Sequence, residues 1–320
     1  MKWERQRITT DFGNETEALS PVIITASRST DIPSFFGDWL IDRFKRKYLK
    51  WYNPFNGQPY YVSLEKVRFI VFWTKEPHPN FMKNLIFYDN LGINYYIQYT
   101  LNDYESDNLE PNLAPIENRI EKFKQLSEKI GSDRIIWRFD PLVLTEEIGT
   151  DRLLEKIYRI GNRIAGYTEK LVISFADIEK YRKVKKNMLR EGIPWRKWDL
   201  HSIRRIASEI TYLARKWELT TATCCEKVDL EEYGIIHNRC VDPHLISRIA
   251  SGDPEIEKFI LKNGSKKDTG QREACGCIPS KDIGQYNTCP NLCTYCYANS
   301  SPEVVKKNLT KSLSTSESIC

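Results

Sequence analysis

Six short runs of β-branched and aromatic residues, each followed by a polar loop and then an amphipathic segment, constrain this chain more than any other feature of it. They lie at residues 22–25, 69–74, 95–100, 134–139, 171–175 and 219–223, and most are apolar on both faces, as buried parallel strands are. Between them, residues 35–47, 117–130, 152–165 and 202–217 read as helices. In the last, Ile203, Ile206, Ile210, Leu213 and Trp217 recur with helical spacing. Asp31-Ile32-Pro33 is a start signal and Gly131 a stop signal. Regular alternation of strand and helix predicts an α/β fold, a full or partial (β/α) TIM-type barrel, with a doubly wound open sheet as the second arrangement. With 41% apolar and 12% aromatic residues in 320, the chain can bury a large core, which excludes disorder as its main state.

The expected organisation is an N-terminal extension at 1–20, a barrel at 21–250, a cysteine-rich segment at 251–300 that completes it, and a flexible tail at 301–320. Residues 253–270 lose aromatic content and read as a connection. The longest clean apolar stretch, residues 69–73, is far shorter than the roughly 18 residues that span a bilayer. No apolar block stands in the first twenty residues, so a cytoplasmic location is expected. The net charge of +5 permits nucleotide or nucleic-acid ligands without requiring them.

Cysteine says more than charge. Eight of the nine fall between Cys224 and Cys296, and the first 223 residues have none. Such clustering points to a local thiolate site rather than a disulfide framework. Cys289, Cys293 and Cys296 stand at C-x3-C-x2-C spacing. Four thiolates would saturate a zinc ion or a cubane cluster, whereas three leave one metal position open for a ligand. A zinc site completed by Cys277 or His237 is the alternative. Cys224, Cys240, Cys275 and Cys277 are four further thiols, the count for a second closed site such as a second [4Fe-4S] cluster; buried apolar packing is the plainer account of them. Cys225 would point away from Cys224 in an extended segment, and Cys320 lies in the tail, so neither is expected to be a ligand.

The loop Cys289-Pro-Asn-Leu-Cys293-Thr-Tyr-Cys296, with Tyr295 just before its last cysteine, resembles the cluster loop of radical S-adenosylmethionine enzymes. The resemblance implies a [4Fe-4S] cluster, S-adenosylmethionine on its open iron, and a barrel fold. In that superfamily the loop usually follows the first strand. Here it comes last, which a cyclically permuted barrel tolerates, with residues 282–287 as the cluster strand. The chain also resembles the DUF1848 family through residues 25–33, 71–77, 110–115, 137–141 and 233–235 and its cysteine-rich end.

In a parallel α/β sheet, reactive residues stand just after the strands. Arg28, among Ser27, Thr30 and Asp31, is the favoured anion contact; helix capping accounts for Thr30 or Asp31. Thr74 and Lys75 follow the second strand, where the resemblance, in particular to the spore photoproduct lyase branch, implies contact with the methionine end of the cosubstrate. Gln98, Arg138 and Ser174 hold equivalent places after later strands. His78, His201, His237 and His244 show no metal spacing. The expectation is a radical S-adenosylmethionine enzyme acting on an unidentified substrate, with a nucleotide or nucleic acid as the leading class. An electron donor such as flavodoxin or ferredoxin would serve it. A non-catalytic iron–sulfur protein and a zinc-stabilised binding protein are the competing classes.

Overall fold

The computed structural model describes residues 3–320, so residues 1 and 2 of the expected extension lie outside it. In chain order its strands are β1 (Arg5–Thr9), β2 (Glu15–Leu19), β3 (Ile23–Ala26), β4 (Tyr48–Tyr52), β5 (Pro59–Ser63) and β6 (Phe69–Thr74). They continue as β7 (Asn94–Thr100), β8 (Ile135–Leu142), β9 (Lys170–Phe175), β10 (Thr220–Thr223), β11 (Ile236–His237) and β12 (Lys281–Asp282). The helices are α1 (Ile32–Phe35), α2 (Gly37–Arg46), α3 (Pro79–Asn90), α4 (Ile116–Ile130) and α5 (Thr150–Ile164). After them come α6 (Arg182–Arg190), α7 (Leu200–Lys216), α8 (Pro243–Ile249), α9 (Pro254–Asn263) and α10 (Pro302–Leu309). No helix among the described residues is long and apolar enough to cross a membrane.

Eight strands form one parallel sheet in the order β11-β10-β9-β8-β7-β6-β3-β12. From β3 to β11 neighbours follow chain order with no reversal, so the doubly wound alternative is overturned: there is no switch point. Crossovers of one hand then place the helices that link successive strands, α2 to α7, on one face. Accordingly Leu40 of α2, Leu85 of α3, Phe123 of α4, Ile157 of α5, Met188 of α6 and Ile210 of α7 share one buried cluster with Ile70, Ile97, Trp137 and Ile173 of the strands. The opposite face, carrying Ile23, Val71, Tyr96, Ile136, Val172 and Ala222, is filled by Ile246 of α8, Ile256 and Phe259 of α9, and Val241, Cys277 and Ile278.

A full barrel, the first form expected, is not present: no closed sheet is found among the described residues, and β11 and β12 are not paired. Both are two residues long, and beside them the polypeptide is tied by a backbone bond from Ile278 N to the Val241 carbonyl, 3.2 Å, and a bond from Val241 N to the Cys277 sulfur, 3.4 Å, in place of a ladder. β12 pairs parallel with β3, Lys281 opposite Ile24 and Asp282 opposite Thr25. The last strand thus lies beside the first of the large sheet, as the permuted reading requires, but it covers only the start of the expected 282–287 segment.

Other expectations shift for local reasons. The helix expected at 35–47 is divided, because Phe36 leaves helical geometry at φ −131° between α1, capped by the Asp31 carboxylate, and α2. The strand expected at 134–139 runs on through Asp140 and Pro141 to Leu142. The connection at 253–270 contains α9, started by Asp253 accepting from the amides of Glu255 and Ile256. Outside the parallel sheet, β1, β2, β5 and β4 make a four-stranded sheet that periodicity did not reveal. Residues 301–320, with the composition of a loose tail, carry α10 and then lie along β4: Ser316 accepts from the Trp39 indole, 2.8 Å, and Glu317 from the Lys50 amide, 2.7 Å. Where α5 meets α7, a Cβ on Gly161 would fall 2.2 Å from the Trp217 ring, so only glycine allows that contact.

Lys281 of β12 is 8% exposed, with its ammonium over the Trp51 ring. Burial brings its pKa from 10.5 down to about 7, although Asp282 and Asp268 oppose the shift. Between pH 7 and 10.5 the unfolded chain therefore holds a proton that the folded chain lacks, and stability rises with pH across that window. Lys281→Met is expected to raise stability by on the order of 2–4 kcal/mol at pH 7, and by much less at pH 10. Urea denaturation at the two pH values measures the difference; equal gains at both would refute this account.

Candidate functional site

The cysteine loop is seated at the carboxyl ends of β3, β6 and β7, where a parallel sheet of this kind offers its binding surface. Asp282 steers it there. One Asp282 carboxylate oxygen accepts from the Thr25 hydroxyl and from the Arg28 amide, both at 2.9 Å, and the other from the Gly284 amide at 3.0 Å. Gly284 then passes so close to Ser27 that a Cβ would lie 1.8 Å from its hydroxyl oxygen. Farther along, the Thr294 amide donates to Leu109, 3.0 Å, the Asn112 amide group to Pro290, 2.8 Å, and the Asn299 amide group to Cys289, 2.8 Å.

A charged network under Tyr295 holds the loop down. Lys75 donates to Glu110 at 2.7 Å and to the Tyr295 hydroxyl at 2.8 Å. The Tyr295 hydroxyl in turn donates to Glu110, and Asn102 donates to Tyr295 at 3.1 Å. Arg119 adds its guanidinium at 3.4 Å from Glu110. Glu110 is wholly buried, which works against its charge, yet Lys75 and Arg119 hold its carboxyl below the ordinary carboxylate range. Glu110 opens one of the stretches that carry the family resemblance, but nothing in the sequence assigned it this role or marked Asn102 or Arg119: they have no shared spacing and meet only in the folded chain.

The three sulfurs of the loop lie within electrostatic reach of one another in this setting. Cys293 is buried, and Cys289 and Cys296 are half-buried. Desolvation pushes the Cys289 thiol up to about 12, with Asp31 and Cys296 adding to it, and raises Cys293 and Cys296 as well. Backbone amides point at two of the sulfurs: Ala298 N is 3.3 Å from Cys296 Sγ, and Asn291 N donates to Cys289. Amides aimed at sulfur are the outer-sphere bonds that favour thiolate over thiol and tune a bound metal. In donor type and in those bonds the loop fits a group held by three thiolates.

The residues expected to hold a cofactor divide between two places. Thr74 and Lys75 stand beside the loop, the Thr74 hydroxyl 3.3 Å from that of Ser34 and the Lys75 amide 2.8 Å from the Asp31 carboxylate. The Lys75 ammonium is committed to Glu110 and Tyr295. Gln98, Arg138 and Ser174 gather instead around the second cysteine set. Arg138 donates to Gln98 and to Cys240 Sγ, each at 3.0 Å, and pairs with Asp140, which also accepts from Ser174. Arg28 lies between the two places, its guanidinium 5.0 Å from the Trp73 ring, with Nη2 buried and without a hydrogen-bond partner.

Cys224, Cys240, Cys275 and Cys277 come together from three segments. Cys224 and Cys240 sulfurs are 3.5 Å apart, Cys240 touches Cys277, and Cys277 touches Cys275. Cys225, expected to face away, touches Cys275, because it takes φ +59° and the backbone there is not extended. As the side chains stand, no group of three or more His, Cys, Asp or Glu among the described residues is arranged to hold a metal ion. The five sulfurs run as a string.

At the outer side, Tyr297 lies 6.2 Å from both Tyr181 and Tyr286, ring to ring. The Lys183 ammonium lies over Tyr286 at 4.9 Å, and Arg272 donates to the Tyr181 hydroxyl at 3.2 Å. This rim is both aromatic and cationic.

Two substitutions test how the loop is seated. Glu110→Gln leaves Lys75 without its counter-charge and Arg119 with Glu105 alone, and is expected to cost about 3 kcal/mol in chemical denaturation; a cost within experimental error would show that the network does not hold the loop. Gly284→Ala forces the loop away from Ser27, so limited proteolysis should open residues 284–300 before the rest of the chain. Cleavage indistinguishable from wild type would refute that.

Comparison with known proteins gives one family: the model described as "Domain of unknown function (DUF1848)" matches residues 23–298. No curated protein matches. Among solved structures, a crystal structure described as "a putative alpha-L-fucosidase from Bacteroides thetaiotaomicron" is similar at a TM-score of 0.25 and 11% identity, covering 61% of this chain and 82% of that one.

Proposed function

The chain belongs to the DUF1848 family, and from the seating of its three-cysteine loop we propose that it is a radical S-adenosylmethionine-type enzyme on a partial, permuted (β/α) barrel. The observation that carries this reading is the placement of Cys289, Cys293 and Cys296 at the carboxyl end of the sheet, over the buried Lys75–Glu110–Tyr295 network. Those three residues would hold a [4Fe-4S] cluster. When bound with S-adenosylmethionine, such a cluster supplies on one-electron reduction a 5′-deoxyadenosyl radical that abstracts hydrogen.

The protein's part is to bind, orient and shield. Amides of Asn291 and Ala298 favour thiolate at Cys289 and Cys296. Lys75 places positive charge near Cys293 and Cys296. Arg28, with Nη2 unpartnered, is the group available to a carboxylate, and the Trp73 ring beneath its guanidinium fixes its plane. The rim of Tyr181, Tyr286 and Tyr297 with Lys183 and Arg272 offers stacking faces and cations, a combination that favours a nucleotide or nucleic-acid substrate. A low-potential donor of the flavodoxin or ferredoxin class would supply the electron.

Anaerobically purified wild-type protein is expected to contain iron and acid-labile sulfide, and Cys293→Ala to lose the cubane complement, about four of each. Adding S-adenosylmethionine should alter the reduced cluster's EPR signal, and 5′-deoxyadenosine should appear on turnover. A signal indifferent to S-adenosylmethionine would favour the electron-transfer reading. Absence of iron and sulfide from the loop would end the proposal.

A further inference from the structure

We propose that Cys224, Cys240, Cys275 and Cys277 form a second, closed metal centre that fastens the open seam of the sheet. The inference stands on a different set of cysteines from the preceding one, shares only Arg28 and Arg272 with it, and does not depend on it. Cys224 follows β10, Cys240 lies just beyond β11, and Cys275 and Cys277 precede β12. These segments flank the unpaired edges, where Ile278 N to the Val241 carbonyl and Val241 N to Cys277 Sγ, 3.4 Å, are the bonds across. A metal drawing four sulfurs inward would join both edges at the point where the ladder is lacking.

The surroundings suit an anion. Three guanidiniums attend the sulfurs: Arg138, donating to Cys240 Sγ, with Arg28 and Arg272 within electrostatic reach of Cys277 and of Cys224 and Cys225. Asp140 answers Arg138, Asp282 and Asp268 lie near Arg28, and Asp140 and Glu226 lie within electrostatic reach of Arg272, yet Arg272 hydrogen-bonds only a tyrosine hydroxyl and Arg28 Nη2 has no hydrogen-bond partner. Arg138 is buried and Arg28 half-buried, and cations so placed require negative charge nearby, whereas Arg272 stands exposed at the rim. Four thiolates around a divalent ion, or around an oxidised cubane, carry a net charge of about −2. Donors already reach the sulfurs, Asn238 at 3.2 Å from Cys240 Sγ in addition to Arg138 and Val241, as outer-sphere partners of a metal thiolate do.

The sulfurs are close but strung out, and each is placed by a single side-chain torsion, so rotation about Cα–Cβ is the change that gathers them. Binding of a divalent ion converts four thiols to four thiolates and releases four protons to solvent, with no change of oxidation state. Cys225, touching Cys275, stays outside the set.

The test uses the full chain with Cys289, Cys293 and Cys296 all changed to Ala, so failure of the first centre cannot be confused with failure of the second. Purified anaerobically, this variant should retain metal: about one zinc without sulfide for a single ion, or iron with acid-labile sulfide for a cluster, either of which supports the centre. Adding Cys240→Ser and Cys277→Ser should abolish that metal. Titration of metal-free protein with cobalt(II) provides a second readout, with about one equivalent giving the charge-transfer and tetrahedral bands of a thiolate complex. In unmutated protein the same four thiols should resist a thiol reagent until a chelator is added. A triad-null chain that folds, holds no metal, shows no thiolate spectrum with cobalt and exposes all its thiols at once would overturn the inference.

Discussion

Glu110 carries more of this architecture than any other side chain. It is wholly buried, and its charge survives only because Lys75, Arg119 and the Tyr295 hydroxyl surround it. Those partners come from the loop after β6, from α4 and from the cysteine loop. A buried carboxylate with three such contacts cannot be rearranged cheaply, since moving any one of them leaves a charge in low dielectric. The cysteine loop, which has almost no regular structure, is therefore held by electrostatics rather than by a ladder.

The sheet beneath it is wound in one direction, so its two faces differ in kind. One is covered by the crossover helices, in the way any βα repeat covers itself. The other is filled late in the chain, by α8, α9 and the segments that carry the second cysteine set. The seam between β11 and β12 lies where those late segments enter. Barrel closure normally removes edges by hydrogen bonding; here side chains stand at the gap, and sulfur is prominent among them.

The two thiol sets are consequently in different electrostatic settings. The loop set faces Lys75, already matched by Glu110, with Lys183 within electrostatic reach of Cys296, and amides supply much of its polarity. The second set faces three guanidiniums, with Asp140, Asp282, Asp268 and Glu226 as the carboxylates around them. Arg28 lies within electrostatic reach of Cys240 and Cys277 of the second set, and its carbonyl accepts from the Tyr297 hydroxyl just past the loop.

Periodicity was sufficient to locate the six main strands and the long helices, because burial of apolar side chains repeats at short range and leaves its mark on every turn and strand. The Asp31 cap, the Gly131 stop and the C-x3-C-x2-C loop were legible for the same reason: each is complete within a few consecutive residues. Direction of winding, failure of the seam to close, the roles of Glu110 and Arg119, and the turning of Cys225 toward Cys275 were not. Each depends on residues tens or hundreds of positions apart, and long-range contacts carry no spacing that a linear pattern could reveal. Local order belonged to the sequence; which charges and which sulfurs face one another was decided only when the chain closed on itself.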